Sequence, residues 1–368
     1  MSKIDKLPEA IDKNPNRFPM ISIIITNLNG KKWLEVCLPS IIKSTYPKDR
    51  MEVILVDNGS TDGSVDYFEQ MMKSSNIRYK VIKNRYNVGW SPANNQGAKI
   101  AEGEILIFIS NDIEVSPKAF EEVVNLFINH QNIGIVQFNS LSLYDRKTID
   151  SAMNFIDIFG FAYGYAPLEK PWIVSIAEGM AFAIRRNVFF RIGGFDSDYF
   201  MEYDDMDLSL RTWLIGYKVV FHPQAIVYHA RGGTVGAHYF VRKLKNIKNY
   251  TRNHIYTLLK VYEAFTLIKV LSVVLFLQIL KMIAVVAIFK KPWVSKAIFR
   301  GIKEALINAK YIMRVKRPRV QALRKISDKE LKKILHPFNP VLLFRYIIEQ
   351  HRGKRFYIHS RPPVGEPI

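Results

Sequence analysis

The sequence predicts an α/β fold, a mainly parallel β-sheet with helices on both faces, followed by a basic α-helical region. From Phe18 to about residue 112, short apolar strands alternate with amphipathic helices, the pattern of successive βαβ units. The charge is also divided: residues 1–229 carry 24 Lys and Arg against 27 Asp and Glu, whereas residues 230–368 carry 29 against 6. We therefore expect three parts: a flexible tail (1–17), an α/β domain (18–235) and a basic, membrane-associating helical region (236–368).

The elements of the α/β domain follow in order from local patterns. The first strand, residues 21–25, is apolar on both faces, as buried parallel strands are. The second, residues 51–56, ends at the turn cluster Asp57-Asn58-Gly59-Ser60. Two further strands are predicted at 79–83 and 104–109, and the intervening helices at 31–45, 64–74 and 92–101.

Length and composition limit the class of protein. The 368 residues are 48% apolar and 23% charged, which excludes wholesale disorder. The single cysteine, Cys37, excludes an internal disulfide framework and a cysteine-based zinc site, and it fits a reducing compartment. The first twenty residues lack the apolar core of a signal peptide, so we expect the protein to work in the compartment where it is made.

Polar residues follow each of the four predicted strands, at Thr26–Asn29, Asp57–Ser60, Asn84–Gly89 and Asn111–Glu114. In open α/β sheets, ligands bind beyond the carboxyl ends of the strands. These four segments therefore predict a ligand site at one edge of the sheet. The alternative interpretation is that Asn, Asp and Gly only form turns there.

The pair Asp112 and Glu114 comes directly after a buried strand. Two carboxylates two residues apart can hold a hard divalent cation, and Mg²⁺ or Mn²⁺ shares its remaining positions with substrate phosphates. His229, at the end of another apolar run, can supply a third ligand. Each of these residues also has a simpler interpretation, a solvated turn for the acids and a structural role for the histidine.

Four acids fall within six residues among aromatic neighbours, at Glu202, Asp204, Asp205 and Asp207. Crowded carboxylates beside apolar groups raise one another's pKa, which suits a general base that works near neutral pH. The alternative is an acidic helix N-terminus favoured by the helix dipole.

Taken together, the motifs resemble a known family. They are IIITNLNG (23–30), VDNGSTDGS (56–64), NRYNVGWSPANNQG (84–97), SNDIEV (110–115), EGMAFAIRRNVFFRIGGFD (178–196), YFMEYDDMDLSLR (199–211) and VYHARGGT (227–234). Their order resembles the family 2 glycosyltransferases of the GT-A fold, in particular the rhamnosyltransferase-like branch. The resemblance covers about residues 20–235, about 60% of the chain. It implies an inverting transferase that uses a nucleotide-sugar donor, such as dTDP-rhamnose, and Mn²⁺ or Mg²⁺.

The resemblance also implies roles for individual residues. The donor would be bound by Thr26, Asn29, Asp57, Arg85, Gly89, Asn95 and Asp112. The metal would be held by Asp112, Glu114 and His229, and the acceptor would be contacted by Gly179, Glu202 and Asp207. The catalytic base would be Asp205, with Asp204 as the alternative, because Asp204 stands where the family's motif has Glu.

An apolar run at 270–289 is interrupted by Ser272, Gln278 and Lys281. Its length would cross a bilayer, but a central Lys costs about 2.5–3.5 kcal/mol on insertion, so a helix in the membrane interface is equally allowed. With its basic flanks, the segment at about 264–291 predicts attachment to an anionic membrane surface, by a peripheral, re-entrant or single-span arrangement. We expect the protein to lie at the cytoplasmic face of the cell membrane. We expect its acceptor to be a glycan, or to be linked to a polyprenyl diphosphate lipid, in cell-envelope polysaccharide assembly.

Two other functions fit parts of the sequence. A nucleic-acid-binding protein would explain the basic region, but no recognisable reading motif is present and the long apolar run argues against it. We therefore expect no nucleic-acid partner. A processive polysaccharide synthase is closer, although the Gln-x-x-Arg-Trp segment of such enzymes is absent. Neither the donor sugar nor the oligomeric state can be read from the sequence.

Overall fold

The computed structural model describes residues 18–231, 246–351 and 356–368. The predicted tail (1–17) and the predicted domain boundary at 235/236 lie outside the described residues. The described strands are β1 (Ile21–Asn27), β2 (Met51–Asp57), β3 (Arg78–Lys83), β4 (Ile105–Ser110), β5 (Ile113–Val115), β6 (Ile133–Ser142), β7 (Ile149–Ser151), β8 (Met153–Ile156), β9 (Ala162–Tyr165), β10 (Trp172–Ile173), β11 (Ala181–Arg185) and β12 (Lys218–His229).

Helices flank these strands and make up most of the C-terminal region. They are α1 (Lys31–Ile42), α2 (Ser64–Lys73), α3 (Trp90–Ile100), α4 (Ala119–Asn129), α5 (Arg186–Arg191), α6 (Asp204–Leu214), α7 (Ile247–Val261), α8 (Ala264–Ala287), α9 (Pro292–Tyr311), α10 (Arg317–Ala322), α11 (Asp328–Leu331) and α12 (Pro340–His351). A short 3₁₀ turn (Lys48–Arg50) precedes β2, and a π-helical turn (Ile312–Lys316) joins α9 to α10.

The main sheet has the order β10-β12-β6-β11-β4-β1-β2-β3. β1 pairs in parallel with β2 and β4, and β2 pairs in parallel with β3. Every residue of β2 is buried, because helices cover both faces of the parallel part. The predicted α/β fold with a mainly parallel sheet is therefore confirmed, and the first four strands end at the same edge.

The other half of the sheet brings His229 to that edge. β11 lies antiparallel between β4 and β6, and β12 runs parallel to β6. The register of β12 shifts between His222 and Ile226, around Pro223, since proline cannot donate a ladder hydrogen bond and is tolerated at such irregularities. Beyond the shift, the end of β12 pairs with β5, which sets His229 opposite Ile113.

The C-terminal helices pack against the α/β domain through α7. The hydroxyl of Tyr199 is hydrogen-bonded to Thr257 at 2.8 Å, and Lys260 Nζ lies 2.7 Å from Asp207 Oδ1. α9 then packs on α7, and α8 packs on α9. α7 lies within the basic helical region predicted at 236–368, and residues 232–245 before it lie outside the described part of the chain.

The last described segment, residues 356–368, returns to the α/β domain. Ile358 forms a β-bridge with Tyr165, and Pro367 forms one with Trp172. The hydroxyl of Tyr357 donates to the backbone carbonyl of Asp150 at 2.5 Å. This segment therefore contacts β7, β9 and β10.

Candidate active site

Asp57 is the last residue of β2, at the edge of the sheet where the first four strands end. Its Oδ1 accepts from Asn27 Nδ2 at 3.0 Å, and its Oδ2 accepts from the backbone N–H groups of Gly59 and Ser60 at 3.2 and 2.8 Å. Asp57 is buried, and these bonds come from within its own loops. In this structure Asp57 therefore shapes the turn that borders the crevice.

Thr26, Asn29 and Arg85 line the same edge at different depths. Thr26 is half-buried on β1 and lies in register between Val56 and Ser110. Asn29 has a positive φ of 49° and accepts from the backbone N–H of Thr61 at 2.8 Å, so it joins the loops after β1 and β2. Arg85 is exposed on the loop after β3.

Gly89 and Asn95 connect α3 to the loop that leads to the acidic cluster. Gly89 has a φ of 99°, and a Cβ atom there would lie 2.7 Å from the ring of Phe200, so only glycine fits. The side-chain amide of Asn95 accepts from Phe195 N at 3.0 Å and donates to Phe195 O at 2.8 Å. The structure thus gives these two predicted donor-binding residues a positioning role.

Asp112 and His229 come together, and Asp150 lies behind the histidine. His229 Nε2 is 3.2 Å from Asp112 Oδ1, and His229 Nδ1 is 2.9 Å from Asp150 Oδ2. Burial disfavours the imidazolium, but the hydrogen bonds to the two carboxylates raise the pKa of His229 to about 9. The two carboxylates therefore favour the protonated form of His229.

Asp150 is itself held from several sides. Ser140 Oγ donates to Asp150 Oδ2 at 3.0 Å, and the guanidinium of Arg231 pairs with Oδ1. Burial alone would raise the pKa of Asp150, but the bond to His229 and the charge of Arg231 lower it. An ionised carboxylate thus supports the Nδ1 side of His229.

Glu114 lies apart from this group. Its two carboxylate oxygens pair with Arg146 at 3.0 and 2.9 Å, and the Arg146 guanidinium also stacks on Tyr228. Glu114 is opposite Tyr228 in the β5–β12 register, whereas His229 is opposite Ile113. Because neighbouring residues of a strand face opposite sides, the predicted set of Asp112, Glu114 and His229 is divided.

Asp112 and His229 are the described residues that could hold the predicted Mn²⁺ or Mg²⁺. Over the ranges that the structure describes, no group of three His, Cys, Asp or Glu side chains is arranged as a complete metal site. Asp112 and His229 nevertheless offer one oxygen and one nitrogen facing each other, with a carboxylate on the far side of the imidazole. This arrangement is typical of histidine metal ligands, and it fits a cation that takes its other ligands from a diphosphate.

Asp205 is the second residue of α6. The backbone N–H of Gly179 donates to Asp205 Oδ2 at 2.8 Å, and that of Met206 donates to Oδ1 at 2.8 Å. The next residue after Gly179, Met180, accepts from the backbone N–H of Ser110 at 2.9 Å. The end of β4, which leads to Asp112, is therefore joined to the Gly179–Asp205 contact.

The environment of Asp205 suits a base that works near neutral pH. Burial raises its pKa to about 7, and the neighbouring Glu178 contributes to the same rise. Asp204 is more deeply buried, and burial together with the Asp205 charge raises the pKa of Asp204 well above the usual range. Asp205 is half-buried, so Asp205 is the more accessible of the two candidates.

Glu202 and Asp207, both predicted to contact an acceptor, differ in position. Glu202 has a positive φ of 72°, is partly exposed and accepts from Asn246 Nδ2 at 3.2 Å. Asp207 is fully buried, 2.6 Å from Arg211 Nη2 and 2.7 Å from Lys260 Nζ. We correct the prediction for Asp207, because a side chain enclosed in this ion-pair network can only have a structural role.

Asp150 and Glu178 belong to the site but were not among the predicted residues. Glu178 accepts from Ser151 Oγ, and its Oε1 is 4.0 Å from Arg231 Nη2. Glu178 precedes Gly179 within a motif that was recognised, so it could have been found there. Asp150 lies on a three-residue strand and is 79 residues from His229, and no local signal marks it.

Comparison with known proteins shows which proteins this sequence is similar to. Residues 22–193 match the model of "Glycosyl transferase family 2". A probable glycosyltransferase of Bacillus subtilis, YdaM, is 26% identical over 219 residues, which cover 59% of this chain and 52% of YdaM. A poly(ribitol-phosphate) beta-glucosyltransferase of Bacillus spizizenii is 34% identical over 114 residues, 30% of this chain and 18% of that protein. These findings show that the chain is similar to glycosyltransferases of family 2, and it spans about half the length of YdaM.

A solved structure supports the fold. The mannosyltransferase PcManGT from Pyrobaculum calidifontis, in complex with GDP-Man and Mn²⁺, is 17% identical, with a TM-score of 0.55 over 93% of this chain and 89% of that one. At this identity the similarity concerns the fold alone. The predicted GT-A-like architecture, with a C-terminal helical region that contains one apolar helix among the described residues, is confirmed.

Proposed function

We propose that this chain is an inverting glycosyltransferase that moves a sugar from a nucleotide-sugar donor to a hydroxyl group of a lipid-linked or glycan acceptor. The observation that carries the proposal is the position of Asp205. Its carboxylate is held by the Gly179 N–H at 2.8 Å, has a pKa of about 7, and is joined through Met180 and Ser110 to the strand end that bears Asp112.

Asp205 is the proposed catalytic base. Its carboxylate takes the proton from the acceptor hydroxyl while that oxygen forms a bond to C1 of the donor sugar. The bond between C1 and the diphosphate oxygen breaks in the same step, the nucleoside diphosphate leaves, and the configuration at C1 inverts. A carboxylate with a pKa near the working pH is suited to this transfer.

Asp112 and His229 are the residues proposed to hold Mn²⁺ or Mg²⁺, a use that PcManGT with its bound Mn²⁺ supports by analogy. When bound, the cation supplies positive charge to the diphosphate of the donor. Asp150 accepts the Nδ1 proton of His229 and so keeps Nε2 directed at Asp112. Glu114 is not included, because it is engaged with Arg146.

The donor is proposed to lie along the ends of β1, β2 and β4. Thr26 lines the floor there, and the turns formed by Asn29 and Asp57 border the nucleoside side. Rhamnose from dTDP-rhamnose was predicted by resemblance. GDP-mannose, the donor bound to PcManGT, and UDP-glucose are the other donors to test.

The acceptor is proposed to be a component of a cell-envelope polysaccharide, handled at the cytoplasmic face of the membrane. The similarity to a poly(ribitol-phosphate) beta-glucosyltransferase supports an envelope polymer. A processive synthase would use the same site chemistry, so the number of sugars added per acceptor distinguishes it from the single transfer proposed here.

The test uses Asp205→Asn with Asp198→Asn as the control, since Asp198 is exposed. Dyes that report thermal unfolding first identify which of dTDP-rhamnose, GDP-mannose and UDP-glucose stabilises the wild-type protein with MnCl₂. We expect Asp205→Asn to lower nucleotide release in the presence of washed membranes by about 10²–10⁴-fold, with unchanged stabilisation by the donor. A rate near that of the wild type would overturn the assignment of the base.

A further inference from the structure

Helix α8 exposes its most apolar side to solvent. Five large side chains recur along one face at helical spacing, and each is more than half exposed: Phe265 (71%), Ile268 (67%), Phe276 (59%), Ile279 (52%) and Ile283 (60%). We call these five residues the apolar face. Exposed apolar stripes of this length are unusual on soluble proteins and mark sites of association.

Two polar residues of the same helix, Gln278 and Lys281, lie on its protein-facing side. Gln278 is only 2% exposed and Lys281 is partly buried, on the side where Val270 and Val274 contact the protein. A helix that covers a soluble core has the opposite arrangement, with polar residues toward water. Gln278 and Lys281 therefore do not lie on the apolar face. The third interruption, Ser272, is exposed on it, and its hydroxyl donates to the Ile268 carbonyl at 2.9 Å within the helix, so the surface offered outward is suited to hydrocarbon.

Positive charge surrounds this surface. Lys269 and Lys290 are exposed near the two ends of α8, and α9 exposes Lys296, Arg300 and Lys303. Trp293, at the start of α9, is 47% exposed, and Trp is enriched where membranes meet water. The charge complements anionic lipid headgroups, to which each nearby Lys or Arg contributes about 1 kcal/mol.

The packing of α9 decides how α8 can lie. Gly301 of α9 is so close to α7 that a Cβ atom there would be 2.6 Å from the carbonyl oxygen of Lys248. Glu304 pairs with Arg252 at 2.5 Å and with Lys248 at 2.8 Å. α9 is thus fixed along α7, and α8 packs against α9.

Both ends of the α8–α9 pair are attached to the body of the protein. Before α8, the backbone N–H of Glu263 donates to Asp328 at 2.9 Å. After α9, Lys316 pairs with Asp196 at 2.8 Å. A membrane-spanning α8 would take the charged helix α9 into the bilayer with it, and the charges of α9 oppose this.

We propose that the apolar face of α8 lies in the plane of an anionic bilayer, inserted into one leaflet, with the cations of α9 at the headgroups. This surface does not depend on the proposed transfer chemistry. Helix α7, which lies beside α8 and α9, contacts the segment before the candidate base, because the ring of Tyr203 stacks on His254 at 5.0 Å and Asp205 is two residues further on.

Binding is tested with phosphatidylcholine vesicles made with and without phosphatidylglycerol. The full chain is expected to float with the phosphatidylglycerol vesicles. In the double variant Phe276→Glu, Ile283→Glu, the fraction of protein bound to these vesicles should fall at least ten-fold. Phe190→Glu is the matched control, because Phe190 is an exposed phenylalanine (43%) on α5. A triple variant with Gln at Lys296, Arg300 and Lys303 should bind more weakly to the anionic vesicles only.

Depth measurements distinguish a helix in the plane from one that spans. Cys37 is fully buried, so single cysteines introduced at Phe265, Phe276 and Ile283 can carry nitroxide labels with little background. A helix in the plane gives the three labels the same depth. A spanning helix separates the first and last by roughly 27 Å along its axis.

Each outcome decides the proposal. Equal depths with binding that requires phosphatidylglycerol support it. Graded depths, equal binding to both kinds of vesicle, or no binding at all would overturn it. A lipid-free dimer in which the labels become protected would also overturn it, in favour of a second copy of the chain on the apolar face. Thermal stabilisation of the protein by MnCl₂ and a nucleotide-sugar does not depend on membrane binding. A negative result with the vesicles therefore leaves the proposed function intact.

Discussion

The imidazole of His229 lies between two carboxylates, with Nε2 at 3.2 Å from Asp112 Oδ1 and Nδ1 at 2.9 Å from Asp150 Oδ2. Asp112 follows β4, Asp150 is on β7 and His229 ends β12, so three separate strands build the contact. Asp150 determines which ring nitrogen faces Asp112. Asp150 thus orients the residue that is proposed to hold the metal.

Asp150→Asn is expected to weaken Mn²⁺ binding by about 10–100-fold, because the loss of a carboxylate behind a histidine ligand has this effect. The measurement is a Mn²⁺ titration, with GDP or UDP present, in which the electron paramagnetic resonance signal reports the free ion. Glu169→Gln, an exposed acid, is the control. Unchanged Mn²⁺ affinity in Asp150→Asn would show that Asp150 does not position His229.

The transfer rate is expected to rise with pH through about 7 and then level off, since Asp205 must be ionised to accept a proton and its pKa is about 7. Glu178→Gln removes a neighbouring negative charge that raises this pKa. The rising part of the profile should therefore move to lower pH. Profiles of kcat/KM at constant ionic strength measure the shift, and a profile that stays in place would remove Glu178 from the environment of the base.

The same pKa predicts an effect on stability. Asp205 ionises near pH 4 in an unfolded chain but near 7 in the folded protein, so folding favours its neutral form. This contribution is present below pH 4 and is lost as the pH rises through 7. The Tm of Asp205→Asn minus that of the wild type should therefore rise between pH 5 and pH 8. Scanning calorimetry measures both Tm values. A constant difference would contradict the raised pKa.

Lys260→Met is expected to destabilise the protein by about 3–5 kcal/mol, because it leaves buried carboxylates without a partner. Lys260 Nζ lies 2.6 Å from Asp196 and 2.7 Å from Asp207. Urea unfolding measures the loss. Lys248→Met serves as the control, since Lys248 pairs with Glu304 at a partly exposed position. Equal effects of the two changes would argue against a structural role for the Asp207 network.

The α/β core could be predicted from the sequence because its signals are local. The apolar run at 21–25 and the turn at Asp57-Asn58-Gly59-Ser60 report buried strands and their ends without reference to distant residues. Parallel pairing then brings the ends of β1, β2 and β4 to one edge. The bounds of these strands differ from the prediction by only one or two residues.

The partners of individual side chains could not be predicted in the same way. Glu114 pairs with Arg146, which lies 32 residues later in a loop, and no pattern in the sequence indicates that contact. Asp207 is different, because Arg211 follows it by four residues, a spacing that favours an ion pair within a helix. That signal could have separated the buried Asp207 from the accessible Asp205.

The hydrogen bond from Tyr357 to the carbonyl of Asp150 spans 207 positions of the chain. Anyone who trims this protein to a minimal catalytic fragment ending after β12 would therefore discard a support of its histidine. Engineering of shortened or tagged versions should preserve residues 356–368 and leave their contact with β7 undisturbed.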